Sequence, residues 1–494
     1  MKVLQIRLLG AFLAISSLAA EKSADPTPAA RQQAILVLQR AEQISSNAMQ
    51  WNRPFLLSKI AQALFLAGAT DETKIVLRRA WDSFPSDADP KRRAWIVVDT
   101  MARAQASVGD KAGARDCIEH MKELLAGMPE AMQDSMLVEQ VASVQIEIGD
   151  LADAEQTVQL LPAGDSARRK KIDELAAVRV RGGDLRGARR YAQGIEDSLA
   201  SEVLQHIMAA QIQSGDLNAA AETAASIPSS SFQASARANL AVAQFQAGNA
   251  KAAKANLSCA LKTASGWDAA LEDVAMAQAR MGDFAAATTT LSSIEDHDYS
   301  PKSGWFAELA LLAFKSDHDD LVPGLLSRAM ESTKLFPDDK TRSMRAQDVM
   351  LVRAETGDVP AALEFAAELP DDFRIRFLDQ IATVQAKAGD ITGAERTASQ
   401  IPDSDAMPSA GEIALAKVKT KDFAGASQTA KWQETAQLET LKAQTRAGDL
   451  AGALSEVGNL RAPKMQVDAM VGIALGLLEG PVPGESNSPR GPAH

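Results

Sequence analysis

The stretch Gln211-Ile212-Gln213-Ser214-Gly215-Asp216-Leu217-Asn218-Ala219-Ala220 decides the fold, because its Gly-Asp pair returns along most of the chain with an Ala four residues after the Asp. The pair stands again as Gly109-Asp110, Gly149-Asp150, Gly183-Asp184, Gly282-Asp283, Gly357-Asp358, Gly389-Asp390 and Gly448-Asp449. Gly248-Asn249 and Lys421-Asp422 are variants in the same rhythm, and Gly68 and a degenerate anchor near Ser316-Asp317 extend it. A period of about 33 residues marks stacked helical hairpins. Chemistry explains the dipeptide. A helix ends well on a residue in the left-handed region, where Gly avoids a Cβ clash. The Asp beside it can accept hydrogen bonds from the first free N–H groups of the next helix, and its charge suits that helix's positive end. Gly therefore closes a first helix (helix A) and Asp opens a second (helix B) across a tight turn.

The repeated Ala is Ala114, Ala154, Ala188, Ala220, Ala253, Ala287, Ala362, Ala394, Ala426 and Ala453. It sits one turn into helix B, where a small side chain lets the two helices approach. Pro162, Pro228, Pro370 and Pro402 lie thirteen residues after the Gly and are expected to stop helix B. The chain of 494 residues would ordinarily split into about three domains. A stack of hairpins instead grows by adding units. Aromatics at 4% with hydrophobic residues at 46% suit close-packed small-residue helices, whereas strands favour β-branched and aromatic side chains. The net charge of −12 disfavours nucleic acid or an anionic membrane surface as the general partner.

The N-terminus reads as an export signal over residues 1–20. Lys2 and Arg7 give the positive end, Leu8 to Ala20 an apolar stretch, and Ser17-Leu18-Ala19 a small-residue pattern with cleavage expected after Ala19 or Ala20. This predicts a periplasmic or extracellular protein, with an uncleaved anchor and a cytosolic protein as the alternatives. The apolar stretch is too short to span a bilayer. A Pro-containing linker (21–30), a helical solenoid (31–479) and a Pro/Gly/Ser-rich tail expected to be disordered (480–494) follow. Within the solenoid, helices are expected at Arg31 to Asn47, Pro54 to Leu66 and Pro463 to Leu478. Cys117 and Cys259 form no disulfide framework and read as buried free thiols.

These residues resemble the tetratricopeptide repeat family over roughly residues 50–475. That family carries Gly at its turn, Ala five residues later, a small residue seven before the Gly and a large apolar one eight before. Here the small position reads Ala102, Ala142, Ala176, Ala241, Ala275 and Ala382, and the apolar one Met101, Val141, Leu175, Leu240, Val274 and Ile381. The family's Trp and Tyr positions in helix A are mostly replaced, and in several units the closing Pro comes four residues early. The resemblance implies helices A lining a concave groove that binds peptides or partner proteins.

Three features invite a chemical reading. A column of Gln stands four residues before the Gly, at Gln105, Gln145, Gln211, Gln244, Gln278, Gln385 and Gln444, with Arg179 and Arg353 in its place in two units. Either the amides satisfy helix ends and bridge hairpins, or they form a ladder facing a ligand backbone. A basic island, Arg168, Arg169, Lys170, Lys171, Arg179, Arg181, Arg186, Arg189 and Arg190, is either a solvated face or a dock for an acidic partner. The turns Glu295-Asp296-His297-Asp298 and Asp317-His318-Asp319-Asp320 are oxygen-rich but lack the Gly and ligand spacing of a calcium loop, so they read as solvated turns. No nucleophile elbow, phosphate loop or metalloprotease motif is present, and no cofactor is expected. The expected fold is an all-α, right-handed α/α superhelical solenoid of about twelve helix-turn-helix repeats. The expected function is an exported, non-enzymatic scaffold that binds protein or peptide partners, does not span a membrane and is free to self-associate. The alternatives are a cell-envelope enzyme or enzyme accessory acting on polysaccharide or peptidoglycan, which convergent carboxylates would favour, and a structural envelope component.

Overall fold

The computed structural model describes residues 26–49, 52–83, 97–124, 135–162, 164–295, 302–336, 338–402, 408–430, 434–460 and 462–479, and every regular element among them is a helix. The fold is an all-α solenoid of helix-turn-helix repeats. The expected signal segment and tail lie outside the described residues. So do three of the four residues of the turn at Glu295, and the linker apart from its last few positions. Helices appear where they are expected, at Pro28–Ser45, Arg53–Leu66 and Pro463–Glu479. No described helix is long and apolar enough to cross a membrane.

Each repeat is built from the turn outward. Gly215 has φ of +81°, and Asp216 N–H donates to the Gln211 carbonyl at 2.8 Å. This bond, from two residues past the helix end back to its last turn, is the Schellman closure. Asp216 then opens the next helix by accepting from Ala219 N–H at 3.0 Å. The same pair of bonds recurs at Gly109, Gly183, Gly248, Gly282, Gly357, Gly389 and Gly448, with their Asp or Asn neighbours. Two units make the turn without Gly. Lys421 (φ +64°) and Asp317 (φ +58°) occupy the left-handed position themselves. The degenerate anchor is therefore Asp317, with His318 N–H closing on the Ala313 carbonyl at 2.9 Å.

All ten Ala residues five after the turn are 0% exposed, as are all six small residues seven before it. With no side chain beyond Cβ, these positions set how closely helices A and B approach. Helices B are often short, as at Leu151–Gln159, Leu217–Ala225 and Val359–Ala367. They end three or four residues before the Pro that was expected to stop them. The residue just before that Pro explains the early end. Leu161, Ile227, Leu369 and Ile401 leave the helix and turn inward, each at most 8% exposed, to seal the hairpin's open end.

The described residues form two compact units, one combining 1–125 with 385–494 and the other covering 126–384. In the second unit, helices A at Ser135–Ile148, Ser166–Arg181, Asp197–Gln213, Ser230–Gln246, Asp268–Arg280 and Lys302–Lys315 pack each against the next, with the B helices behind them. Its apolar interior runs continuously from Ala142 to Leu240 and again from Ala275 to Val349. In the first unit the two ends of the chain meet. Helix Pro463–Glu479 is of the A type, and Pro28–Ser45 lies along it where a B helix would, while Arg53–Leu66 packs on both. Lys59 Nζ reaches Asp468 at 2.6 Å across this junction, and the Asp468 side chain is only 4% exposed. The terminal repeat is thus assembled from residues at opposite ends of the sequence.

Candidate functional site

The Gln column lies inside the hairpins. Gln145, Gln211, Gln244, Gln278, Gln385 and Gln444 are 4–9% exposed, and Gln105 is half-buried. Four of the amides bond between helices A and B of one repeat, while Gln145 Oε1, Gln211 Oε1 and Gln444 Oε1 are buried without a partner among the described residues. Thr290 donates its hydroxyl to Gln278 Oε1 at 2.8 Å, Thr397 to Gln385 Oε1 at 2.7 Å, Asn256 its amide to Gln244 Oε1 at 2.9 Å and Cys117 its thiol to Gln105 Oε1 at 2.9 Å. Each partner stands twelve residues after its Gln. Gln385 and Gln444 also donate to the capping Asp390 and Asp449, at 3.1 and 2.7 Å. A ladder facing a ligand requires exposed amides, and this burial gives the column a structural task. Where its oxygens bond, they do so within the hairpin; the sequence suggested helix-end carbonyls or a bridge to the next hairpin.

The two Arg substitutions follow a second rule. Arg179 and Arg353 turn out to their capping carboxylates, reaching Asp184 at 2.9 Å and Asp358 at 2.8 Å. Arg179 also pairs with Glu155. In both units an aromatic residue, Tyr191 or Phe365, fills the position twelve residues on that elsewhere holds the small polar partner. Removing the amide from the interior leaves room, and a ring occupies it.

Most of the basic island is bonded from repeat to repeat. Arg169 pairs with Glu202, Lys170 with Glu139 at 3.2 Å, and His206 with Asp173 at 2.5 Å. Lys171, 3% exposed, reaches Ser143 at 2.6 Å and Glu174 at 2.5 Å, and Arg189 donates to Thr223 at 2.8 Å. The Glu202 side-chain bond holds the Arg169 guanidinium above its ordinary pKa. Arg181 and Arg186 remain exposed at the turn end of the same repeat, and Arg190 in the last turn of helix Leu185–Gln193. Arg168 differs from its neighbours: it has no carboxylate partner among the described residues and makes one long contact, Nη1 to the Leu161 carbonyl at 3.5 Å. It borders a cavity of about 350 Å³ whose walls include Ile172, Tyr191, Ile195 and Leu199.

A second grouping was invisible as a motif because its members come from three repeats. Glu272 is 7% exposed and receives a hydrogen bond from Trp305. Burial first, then Asp273 and Glu308, pushes its pKa up to about 8. Burial likewise raises the Asp273 carboxyl, against the bond it accepts from Ser235. Carboxylates drawn together away from water share one remedy, which is to keep a proton.

Elsewhere, His318 is a turn residue, its Nδ1 2.6 Å from the Ser316 carbonyl and its ring against Phe284. Both thiols are free. Cys117 is buried, which pushes its pKa up to about 12, whereas Cys259 is half-buried, contrary to the expectation that both are interior.

No protein-family model and no curated protein matches the chain. Among solved structures it is similar to one described as a circular tandem repeat protein with novel repeat topology and enhanced subunit contact surfaces, at 14% identity and a TM-score of 0.14, over 92% of this chain and 96% of that one.

Proposed function

We propose that this chain is a divergent tetratricopeptide-like repeat protein that serves as an exported scaffold for protein or peptide partners. The observation that carries the reading is the row of helices A in the second unit. Their polar side chains meet between successive repeats, as Glu139 with Lys170, Asp173 with His206 and Glu202 with Arg169. Such a row offers several repeats at once to an extended ligand, so that affinity accumulates along it. Within this reading Arg181, exposed at the turn, and Arg169, exposed but already paired with Glu202, are the island residues offered to an acidic segment, while the buried Gln column holds the hairpins in shape.

The test is an affinity capture of the mature protein from its own cell envelope, followed by direct binding of each captured protein. Charge reversal at Arg169 and Arg181 is expected to weaken binding and flatten its salt dependence. Binding that ignores both substitutions and salt would assign the partner to another face. Gln211→Ala with Gln244→Ala is expected to lower the melting temperature with binding intact. Loss of binding without loss of stability would return the amides to the ligand.

Glu272, Asp273 and Glu308 favour one second reading, an envelope enzyme acting on polysaccharide, because a protonated carboxyl beside ionisable ones supplies an acid and a base. Soluble product released from peptidoglycan or polysaccharide by the wild type and not by Glu272→Gln would establish it.

A further inference from the structure

We infer that the cavity around Arg168 and Tyr191 is a binding site for a monocarboxylate carried on an apolar body. The cavity lies where one hairpin meets the next, between the end of helix Leu151–Gln159, helices Ser166–Arg181 and Leu185–Gln193, and the start of Asp197–Gln213. Val158 and Ile172, 1% and 2% exposed, form part of its floor, and Ile195 and Leu199 line it further. Two polar groups on this wall have work left to do. Arg168 has only the 3.5 Å contact to Leu161, although the basic residues beside it in the sequence are all paired. The Tyr191 hydroxyl has no hydrogen-bond partner among the described residues, and burial pushes its pKa up to about 12, so it remains a donor. The pocket joins an apolar floor to polar walls that include Gln159 and Glu196, and its volume of about 350 Å³ falls at the small end of the range for small-ligand sites.

The molecule contains its own control. The repeat turning at Gly357 carries the same substitutions, Arg353 for Gln and Phe365 for the small polar residue, and Arg342 corresponds to Arg168. There the guanidinium has a carboxylate partner, although its Nε is buried without a bond among the described residues. Arg342 bonds Asp339 at 3.0 Å and the Phe336 carbonyl at 3.1 Å, and Phe365 meets Phe377 edge to face at 5.7 Å. Among the described residues, only the Arg168 repeat pairs a ring bearing a hydroxyl with a guanidinium that has no carboxylate partner. Arg168 keeps the bond that Arg342, Gln233 and Gln466 make to the carbonyl ahead of their own helix; what it lacks is the carboxylate.

The chemistry selects the ligand. A guanidinium fork and a phenol donor suit a carboxylate, and the floor suits an aliphatic or aromatic body. Glu196, on the rim, disfavours a dianion. The same chemistry is offered by a free small monocarboxylate and by the C-terminus of a peptide ending in an apolar residue. The site adjoins the row of helices A but does not depend on the scaffold reading, whose test is the capture described above.

Full-length protein would be titrated calorimetrically with hexanoate, with a glycine peptide ending in leucine as free acid and as amide, and with inorganic phosphate. At least one carboxylate is expected to bind, with the amide and phosphate each at least tenfold weaker. Hexanoate binding as tightly as the peptide acid identifies a free carboxylate as sufficient ligand; binding of the peptide acid alone identifies a chain terminus. Arg168→Met is expected to abolish binding and Tyr191→Phe to weaken it severalfold, while Arg342→Met leaves it unchanged. Unaltered melting temperatures would show that the variants fold. Equal binding of acid and amide, wild-type affinity in Arg168→Met, or no binding of any carboxylate at 10 mM would overturn the inference.

Discussion

At the scale of single residues, the turn is governed by a backbone angle before any contact. Gly215 has φ of +81° and nothing within 4 Å of where a Cβ would sit, so Gly215→Ala adds conformational strain without a clash. That strain is expected to cost about 1–2 kcal/mol. Lys421 presents the reverse case, a Cβ already held at φ +64°. Lys421→Gly is expected to stabilise by up to about 1 kcal/mol, offset in part by the added freedom of the unfolded chain. Denaturation midpoints of the two variants should move in opposite directions. Glu272 is the residue at which stability should depend on pH. Its folded pKa, about 8, lies above its ordinary 4.5, so the folded state binds the proton more tightly than the unfolded chain. The protein is favoured while both states are protonated. It loses stability as pH rises from about 4.5 through 8, by an amount on the order of 5 kcal/mol. Glu272→Gln, which keeps the neutral shape, is expected to raise the melting temperature at pH 8.5 and leave it nearly unchanged at pH 4.5. Equal shifts at both pH values would show that the carboxyl is not the group responsible.

At the scale of helices and hairpins, what the sequence discloses depends on whether a contact is local. The turn, the Ala contact and the helix order could all be read because each is set by residues within about one repeat of the Gly. The Gln column was equally visible as a pattern, yet its direction was not, because Gln serves a hairpin interior and an exposed groove with the same atoms. The missing clue was the second column. Thr290, Thr397, Asn256 and Cys117 stand twelve residues after their Gln, with Tyr191 and Phe365 where Arg replaces it. The carboxylates near Trp305 were hidden for the opposite reason, since stacking joins residues of different repeats that share no spacing. The coupling of the two columns can be tested by a double-mutant cycle. Arg353→Gln alone places an amide against Phe365 and its ring partner Phe377, and Phe365→Thr alone leaves a cavity where the rings met at 5.7 Å. Each is expected to cost about 2–4 kcal/mol. The double variant rebuilds the Gln–Thr bond used at Gln385, and is expected to cost less than the two changes summed by at least about 1 kcal/mol. Simple additivity would mean that the columns evolved without contact.

At the scale of the chain, the first unit differs from an open-ended stack because its terminal repeat is completed from the opposite end of the sequence. Helix Pro463–Glu479 buries Val467, Met470, Ile473 and Ala474 at no more than 1% exposure, and Pro28–Ser45 buries Ala34, Leu38 and Ala41 at 0%. Each also packs on helices nearby in sequence, Pro463–Glu479 on Glu434–Arg446 and Leu450–Asn459 and Pro28–Ser45 on Arg53–Leu66, but each is the other's most extensive contact. In a repeat protein stability is close to a sum of units and nearest-neighbour interfaces, so loss of one partner strands the other. A chain ending at Asn459 is therefore expected to lose hydrogen-exchange protection throughout residues 28–45, more than 400 residues away in sequence. Helices from Ser135 to Glu355 belong to the other compact unit and should keep theirs. The charge pair refines the prediction. Asp468 is nearly enclosed and holds Lys59 at 2.6 Å with Lys464 at 3.3 Å. Asp468→Ala releases two lysines that are each about half exposed, so it is expected to destabilise this unit by about 1 kcal/mol. Asp468→Asn, which keeps the shape and a hydrogen-bond acceptor, should recover part of that loss. If protection in residues 28–45 survives truncation, the N-terminal helix is held by its own hairpin neighbours, and the junction between the chain ends contributes little to its stability.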